Sequence, residues 1–145
     1  MNPYETYVNT ATMTMSDREV EAAALTKAAV LLQTCQKNWN ASDRDRNLAE
    51  ALEFNQKLWC IFQASLSAGD HPLPAGLRRN VLRLGSFIDK RIFDVMAYPA
   101  AEKLTVIIEI NLNLAGGLRA GAAGAENWNP PQIETDVRQE EPVWA

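Results

Sequence analysis

Hydrophobic residues recur along most of this chain at the three- and four-residue spacing of an amphipathic helix. The first such segment predicts a helix over 16–39, with Ser16 or Asp17 as its N-cap and an acidic first turn. Its apolar positions fall on one face of an ideal helix: Val20, Ala24, Leu25, Ala28, Leu31, Leu32, Cys35 and Trp39.

Two further helices are predicted over 43–67 and 75–97. The second helix follows the turn NASD, with Ser42 or Asp43 as its cap, and its face includes Leu48, Leu52, Trp59, Phe62 and Leu66. The segment AGDHPLPAG ends it, and the third helix begins near Pro74 or Ala75. Its apolar stripe, wide enough for two neighbours, comprises Leu77, Val81, Leu84, Ile88, Ile92 and Val95, flanked by Leu82, Phe87 and Met96.

The segment 100–118 carries two competing patterns. Its apolar residues alternate between 104 and 114 as in a strand, yet a helical face is also present, and a single strand would have nothing to pair with. We therefore predict a fourth helix over 100–117, with Gly116 and Gly117 as its C-cap. The fold class is all-α: a small four-helix bundle-like domain over 1–118, with a flexible lead-in over 1–15 and a disordered tail over 119–145 that contains Trp128 and Trp144.

Two asparagines interrupt the apolar faces. Asn55 lies at the centre of the face of the second helix, and Asn111 lies near the centre of that of the fourth. A buried amide without partners costs about 1–3 kcal/mol, so each needs a specific hydrogen bond. Either the two amides bond each other or a neighbouring backbone group, or one of them faces a groove and meets a partner.

Composition favours one domain without nucleic acid as its main partner. The chain has 145 residues, of which 47% are hydrophobic, enough for a core without disulfides or metals. A formal net charge of −4 and a pI near 5.0 argue against binding driven by phosphates. The third helix is locally basic, but its cations spread around the circumference and indicate a solvated face: Arg78, Arg79, Arg83, Lys90 and Arg91.

The ends and the cysteines indicate a cytoplasmic protein. The N-terminus has no basic and apolar regions of a secretory signal, and no apolar run approaches the roughly 18 residues of a membrane span, so we expect no membrane insertion. Cys35 and Cys60 both lie in helical patterns without CxxC spacing. We predict two small buried thiols and no disulfide.

The residues give little support to catalysis. His71 is the only histidine and lies in a proline-rich turn, and the sequence has no nucleophile elbow, phosphate-binding loop or metal-ligand spacing. Glu50 and Glu53 lie on the solvated side of the second helix. We predict a protein that is not an enzyme and has no cofactor or metal.

Several blocks resemble one family, the FlaF flagellar biosynthesis proteins of alphaproteobacteria. The blocks are NPYETY at 2–7, REVEAAALTKAAVLL at 18–32, EALEFNQKLWCIF at 50–62, HPLPAGLRRNVLRL at 71–84 and EINLNLAGGL at 109–118. They follow the family's order and cover most of residues 1–118.

The resemblance implies a helical cytoplasmic protein that binds flagellin as a chaperone, promotes its synthesis and export, and acts alongside the translational regulator FlbT. It marks seven signature positions: Asn55, Lys57, Trp59, Leu73, Pro74, Arg78 and Asn111. These residues, together with Arg18 and Glu21, are candidates for partner binding. Two rivals stay open, a regulator that binds flagellin messenger RNA through the basic side of the third helix and a structural subunit of the export apparatus.

The binding hypothesis is that an amphipathic helix of flagellin enters an apolar groove beside the third helix. Leu82, Phe87 and Met96 are candidates for the groove wall, and Arg78 for its rim. Core packing is the alternative role of the three apolar residues.

Overall fold

The computed structural model describes residues 17–68 and 73–120, which form four helices that run up and down in turn. Helix α1 spans Asp17–Lys37, α2 Arg44–Ser67, α3 Ala75–Ala97 and α4 Leu104–Arg119, and a 3₁₀ turn over Ala101–Lys103 leads into α4. The all-α prediction is confirmed. The predicted lead-in over 1–15, His71 and the tail from 121 onward lie outside the described residues.

The antiparallel order follows from short connections and from the contacts at each end. Gln36, near the end of α1, donates to the Ala101 carbonyl and to Thr105, and Arg119, at the end of α4, donates to Thr26 near the start of α1. Helices α1 and α4 form the most extensive pairing, and α3 packs mainly on α2. The chain therefore leaves α4 at the end of the bundle where α1 and α3 begin.

Helix α1 buries residues outside its one predicted apolar face. Ala22 and Ala29, outside the predicted face, are fully buried together with Ala28. Alanine side chains let backbones approach closely, and α1 packs on both α4 and α2. The single-face prediction was therefore too narrow for α1.

The fourth segment is helical, and no strand occurs among the described residues. Its alternating apolar positions are explained by central placement, because α4 pairs with α1, contacts α3 and hydrogen-bonds α2. It therefore buries Ile107, Ile108 and Ile110 together. The predicted C-cap at Gly116 and Gly117 is wrong. Helix α4 continues to Arg119 because Leu118 is buried beyond the glycines, and its C-cap is Ala120.

Two other details differ from the sequence predictions. Helix α1 ends at Lys37 rather than at 39, where the Asn38 amide donates to the Thr34 carbonyl and helps to close the last turn. Asp43 is the N-cap of α2 as predicted, but its side chain makes no capping hydrogen bond.

The cysteines differ from each other. Cys35 is buried, and burial raises the pKa of its thiol. The prediction of burial is wrong for Cys60, which is exposed because it lies at the solvent edge of the face that α2 turns toward α3. Both are free thiols. Among the described helices, none combines the length and apolar character needed to cross a bilayer.

Candidate functional site

The two asparagines meet at the centre of the bundle. The Asn111 side-chain nitrogen donates to Asn55 Oδ1 at 2.7 Å, and Trp59 Nε1 donates to Asn111 Oδ1 at 2.8 Å. Asn55 Nδ2 donates in turn to the backbone carbonyls of Ala28, at 3.2 Å, and Ala51, at 2.9 Å. All three polar side chains are fully buried. We call these residues the Asn–Trp network.

This network ties three helices to one register. Ala28 belongs to α1, Asn55 and Trp59 to α2, and Asn111 to α4, so one set of hydrogen bonds fixes their relative positions. The predicted bond between the two asparagines is confirmed, and the alternative that one of them faces a groove is wrong. A partner could reach these signature residues only if the bundle opened.

The other signature residues, except Leu73, lie nearer the surface. Lys57 forms an ion pair with Glu53 one turn earlier, at 2.8 Å. Leu73 is buried, whereas Pro74 is exposed and serves as the N-cap of α3. Arg18 and Glu21, the other two candidates for partner binding, lie on the first turns of α1 and are half-buried.

An apolar groove runs between the first half of α2 and the end of α3. It has a volume of about 720 Å³, its floor includes Leu48, Leu52 and Val95, and Met96 and Pro99 form one wall. The groove is bordered by charged and polar groups of α2: Asp45, Glu53, Gln56 and Lys57. Met96 is an exposed apolar side chain of this wall, with 59% of its surface accessible. We call this feature the α2–α3 groove.

Only one of the three predicted wall residues lines this groove. Met96 does, but Phe87 is buried in the core because it points to the opposite side of α3, so its assignment to a groove wall is wrong. Leu82 is half-buried against the core, more than three turns from Met96. Arg78 is eighteen residues from Met96, or about 27 Å of helix, and does not lie at the rim.

Beyond the groove, helices α2 and α3 pack closely at Gly85. A Cβ atom at this position would collide with the side chain of Gln63 on α2, so glycine lets the Gln63 amide lie across α3. Partial burial raises the pKa of the Asp89 carboxyl above its usual value, and a hydrogen bond with the Gln63 side chain partly offsets this effect. The interface between α2 and α3 is therefore polar here and apolar at the groove.

The exposed face of α3 carries a basic stripe. Arg79, Arg83 and Lys90 are exposed and fall within about 40° of one another on an ideal helix. None has an ion-pair or hydrogen-bond partner among the residues that the structure describes. The other two cations of this helix, Arg78 and Arg91, lie to either side of these three, so the five together spread around the circumference as predicted. We call Arg79, Arg83 and Lys90 the α3 basic stripe.

Sequence reasoning missed most of the groove. The sequence predicts Leu48 and Leu52 only as part of the core face of α2, and it gives Pro99 no role in a site. The sequence did contain a signal for the groove. Leu52 lies at the edge of the apolar stripe of α2, and Met96 flanks the apolar stripe of α3. Within residues 17–68 and 73–120, no cluster of three or more His, Cys, Asp or Glu side chains could hold a metal ion.

Comparison with known proteins gives one match. The sequence model of the family described as flagellar protein FlaF matches residues 3–118. No curated protein and no solved structure matches the chain significantly. The matched range includes all four helices up to Leu118 and ends where the tail begins.

Proposed function

This chain belongs to the FlaF family of flagellar proteins, and we propose that it binds flagellin as a non-enzymatic chaperone that promotes flagellin synthesis and secretion. In this proposal it acts in the cytoplasm, before export, and alongside a translational regulator of the FlbT type. The family membership establishes a flagellar protein, and the α2–α3 groove supports the finer role.

The groove carries the proposal because its shape and chemistry suit an amphipathic helix. A helix in a groove uses apolar anchors at i, i+3, i+4 and i+7 and keeps polar residues at the edge. Leu48, Leu52 and Met96 offer apolar surface for such anchors, and Glu53 and Lys57 offer both signs of charge at the edge. Flagellin segments that become helical on assembly would be kept from premature association when covered in this way.

The first test compares two ligands of the purified full-length protein. We expect it to bind monomeric flagellin in isothermal titration calorimetry, with an affinity that changes little between low and high salt, since apolar burial is insensitive to screening. Flagellin leader RNA should show no specific binding under the same conditions. Absence of flagellin binding, measured with folded protein, would contradict the proposal.

One observation favours the second candidate, direct binding of flagellin messenger RNA. The α3 basic stripe offers three exposed cations without partners among the described residues. Binding through three phosphates would weaken with salt, with a slope of about −2 in a plot of log affinity against log salt concentration. That slope, together with its loss in an Arg79→Glu/Arg83→Glu variant, would establish the RNA role.

A further inference from the structure

The C-terminal tail has a charge opposite to that of the α3 basic stripe. Residues 121–145 contain five acids and one arginine, so this segment accounts for the whole formal net charge of −4. Four of the acids lie close together: Glu134, Asp136, Glu140 and Glu141. The stripe is the largest set of exposed cations without partners that the described residues offer. The chain therefore carries an acidic segment and a basic surface that could neutralise each other.

The geometry of the exit allows the tail to reach this surface. Helix α4 ends at Arg119, at the end of the bundle where α3 begins with Ala75. At this same end, Arg18 Nη1 and Arg78 Nε are buried without a hydrogen-bond acceptor among the described residues. The 14 residues from Ala120 to Glu134 can span up to about 46 Å. That reach exceeds the width of a small helical bundle.

The spacing of the two sets of charges also agrees. Arg79 and Lys90 are eleven residues apart on α3, which is about 17 Å of helix. Glu134 and Glu140 are six residues apart, which is about 20 Å when the chain is extended, and they then share one face of the chain with Asp136 and Arg138. An extended or slightly contracted tail could therefore place acids along the whole stripe.

Two exposed apolar side chains follow the stripe toward the end of α3, on the side of the α2–α3 groove. Phe93 and Met96 are exposed by 53% and 59%, they follow Lys90 by one and two turns, and they lie about 60° and 120° around the helix from it. Trp144 follows Glu141 by three residues, or about 10 Å of extended chain. An indole gains free energy by packing on a phenyl ring and a thioether. The order of charged and apolar groups is the same along both segments.

We propose that residues 133–144 lie along the outer face of α3, with their carboxylates on Arg79, Arg83 and Lys90 and with Trp144 on Phe93 and Met96.

The test places a nitroxide spin label at the end of the tail of the full chain. Ala145→Cys is labelled in a Cys60→Ser background, in which the remaining Cys35 is buried, and the amide signals of ¹⁵N-labelled protein are recorded. We expect strong loss of intensity at low salt for the end of α3, around residues 90–97, and recovery of these signals in an Arg79→Glu/Arg83→Glu variant. A matched variant, Lys37→Glu/Arg46→Glu, changes the net charge equally at exposed sites elsewhere and should keep the loss.

Two results would overturn the proposal. One is full intensity at the end of α3 in the labelled protein, and the other is a loss that Arg79→Glu/Arg83→Glu does not relieve. A mixture of spin-labelled ¹⁴N protein with ¹⁵N protein that carries no spin label shows whose tail occupies the face. An equal loss of signal intensity in this mixture would assign the face to the tail of a second copy. That outcome would refute docking within one chain. No flagellin is present, so the result is independent of the proposed function.

Discussion

Replacing Asn111 by Ala is expected to lower the free energy of unfolding by about 3–5 kcal/mol. The substitution removes the acceptor of the Trp59 indole and the donor to Asn55 Oδ1, and it leaves both groups fully buried without partners. Each stranded group costs about 1–3 kcal/mol, and the missing side chain adds a small cavity. Urea unfolding followed by circular dichroism measures the change.

Related variants separate the network from general core damage. Asn55→Ala leaves mainly the side-chain N–H of Asn111 without an acceptor. It should lower the free energy of unfolding by less, about 1–3 kcal/mol. The double variant should cost less than the sum, because the two asparagines share one hydrogen bond. Asn80→Ala, at an exposed position within α3, is the matched control and should change stability by no more than about 0.5 kcal/mol. An Asn111→Ala protein as stable as this control would refute the structural role of the network.

A Lys103→Met variant is expected to lose about 2–4 kcal/mol of stability. Lys103 Nζ lies 3.0 Å from Asp94 Oδ2 and donates to the Tyr98 carbonyl at 2.8 Å, so it joins the end of α3 to the start of α4. The Asp94 side chain is only 7% exposed, whereas that of Lys103 is 24% exposed. Removing the cation leaves a carboxylate that water can hardly reach, and this unpaired charge is the main cost.

The second substitution Asp94→Asn tests that explanation. It removes the stranded charge, so the Lys103→Met/Asp94→Asn protein should recover much of the lost stability. Lys57→Met breaks an ion pair of similar length between exposed partners and is the matched control, with an expected cost below about 1 kcal/mol. If Lys103→Met and Lys57→Met unfold at the same urea concentration, burial of Asp94 does not govern the cost.

Periodicity predicted the helices and the central hydrogen bond for a common reason. Residues on the midline of an apolar stripe point into the core, so Asn55 and Asn111 had to be buried and had to find partners inside. Trp59 shares that face, which explains why its indole completes the network. Which groups bond to each asparagine depends on how α2 and α4 are aligned along each other. The pattern within a single helix does not contain that information.

The stripe edges predicted by the sequence do not determine the groove, because it also depends on how far apart two helices lie. Phe87 and Met96 both flank the stripe of α3, yet one is buried and the other exposed. Their spacing in the sequence places them on opposite sides of the stripe, and the position of the neighbouring helices decides which of the two sides is covered. The same applies to Gly117, whose intrinsic preference favours a helix end but which is buried within α4.

The central claim is that flagellin binds in the α2–α3 groove, and the most direct measurement compares the flagellin affinity of two matched variants by calorimetry. Met96→Asp places a charge on the groove wall, and Ile61→Asp places one at a similarly exposed position of α2 that does not line the groove. Circular dichroism first shows that both proteins are folded. We predict that Met96→Asp weakens binding about tenfold or more, as expected for loss of an apolar anchor worth at least about 1.4 kcal/mol. Ile61→Asp should retain the wild-type affinity. Wild-type affinity in Met96→Asp, or equal weakening in both variants, would contradict the account.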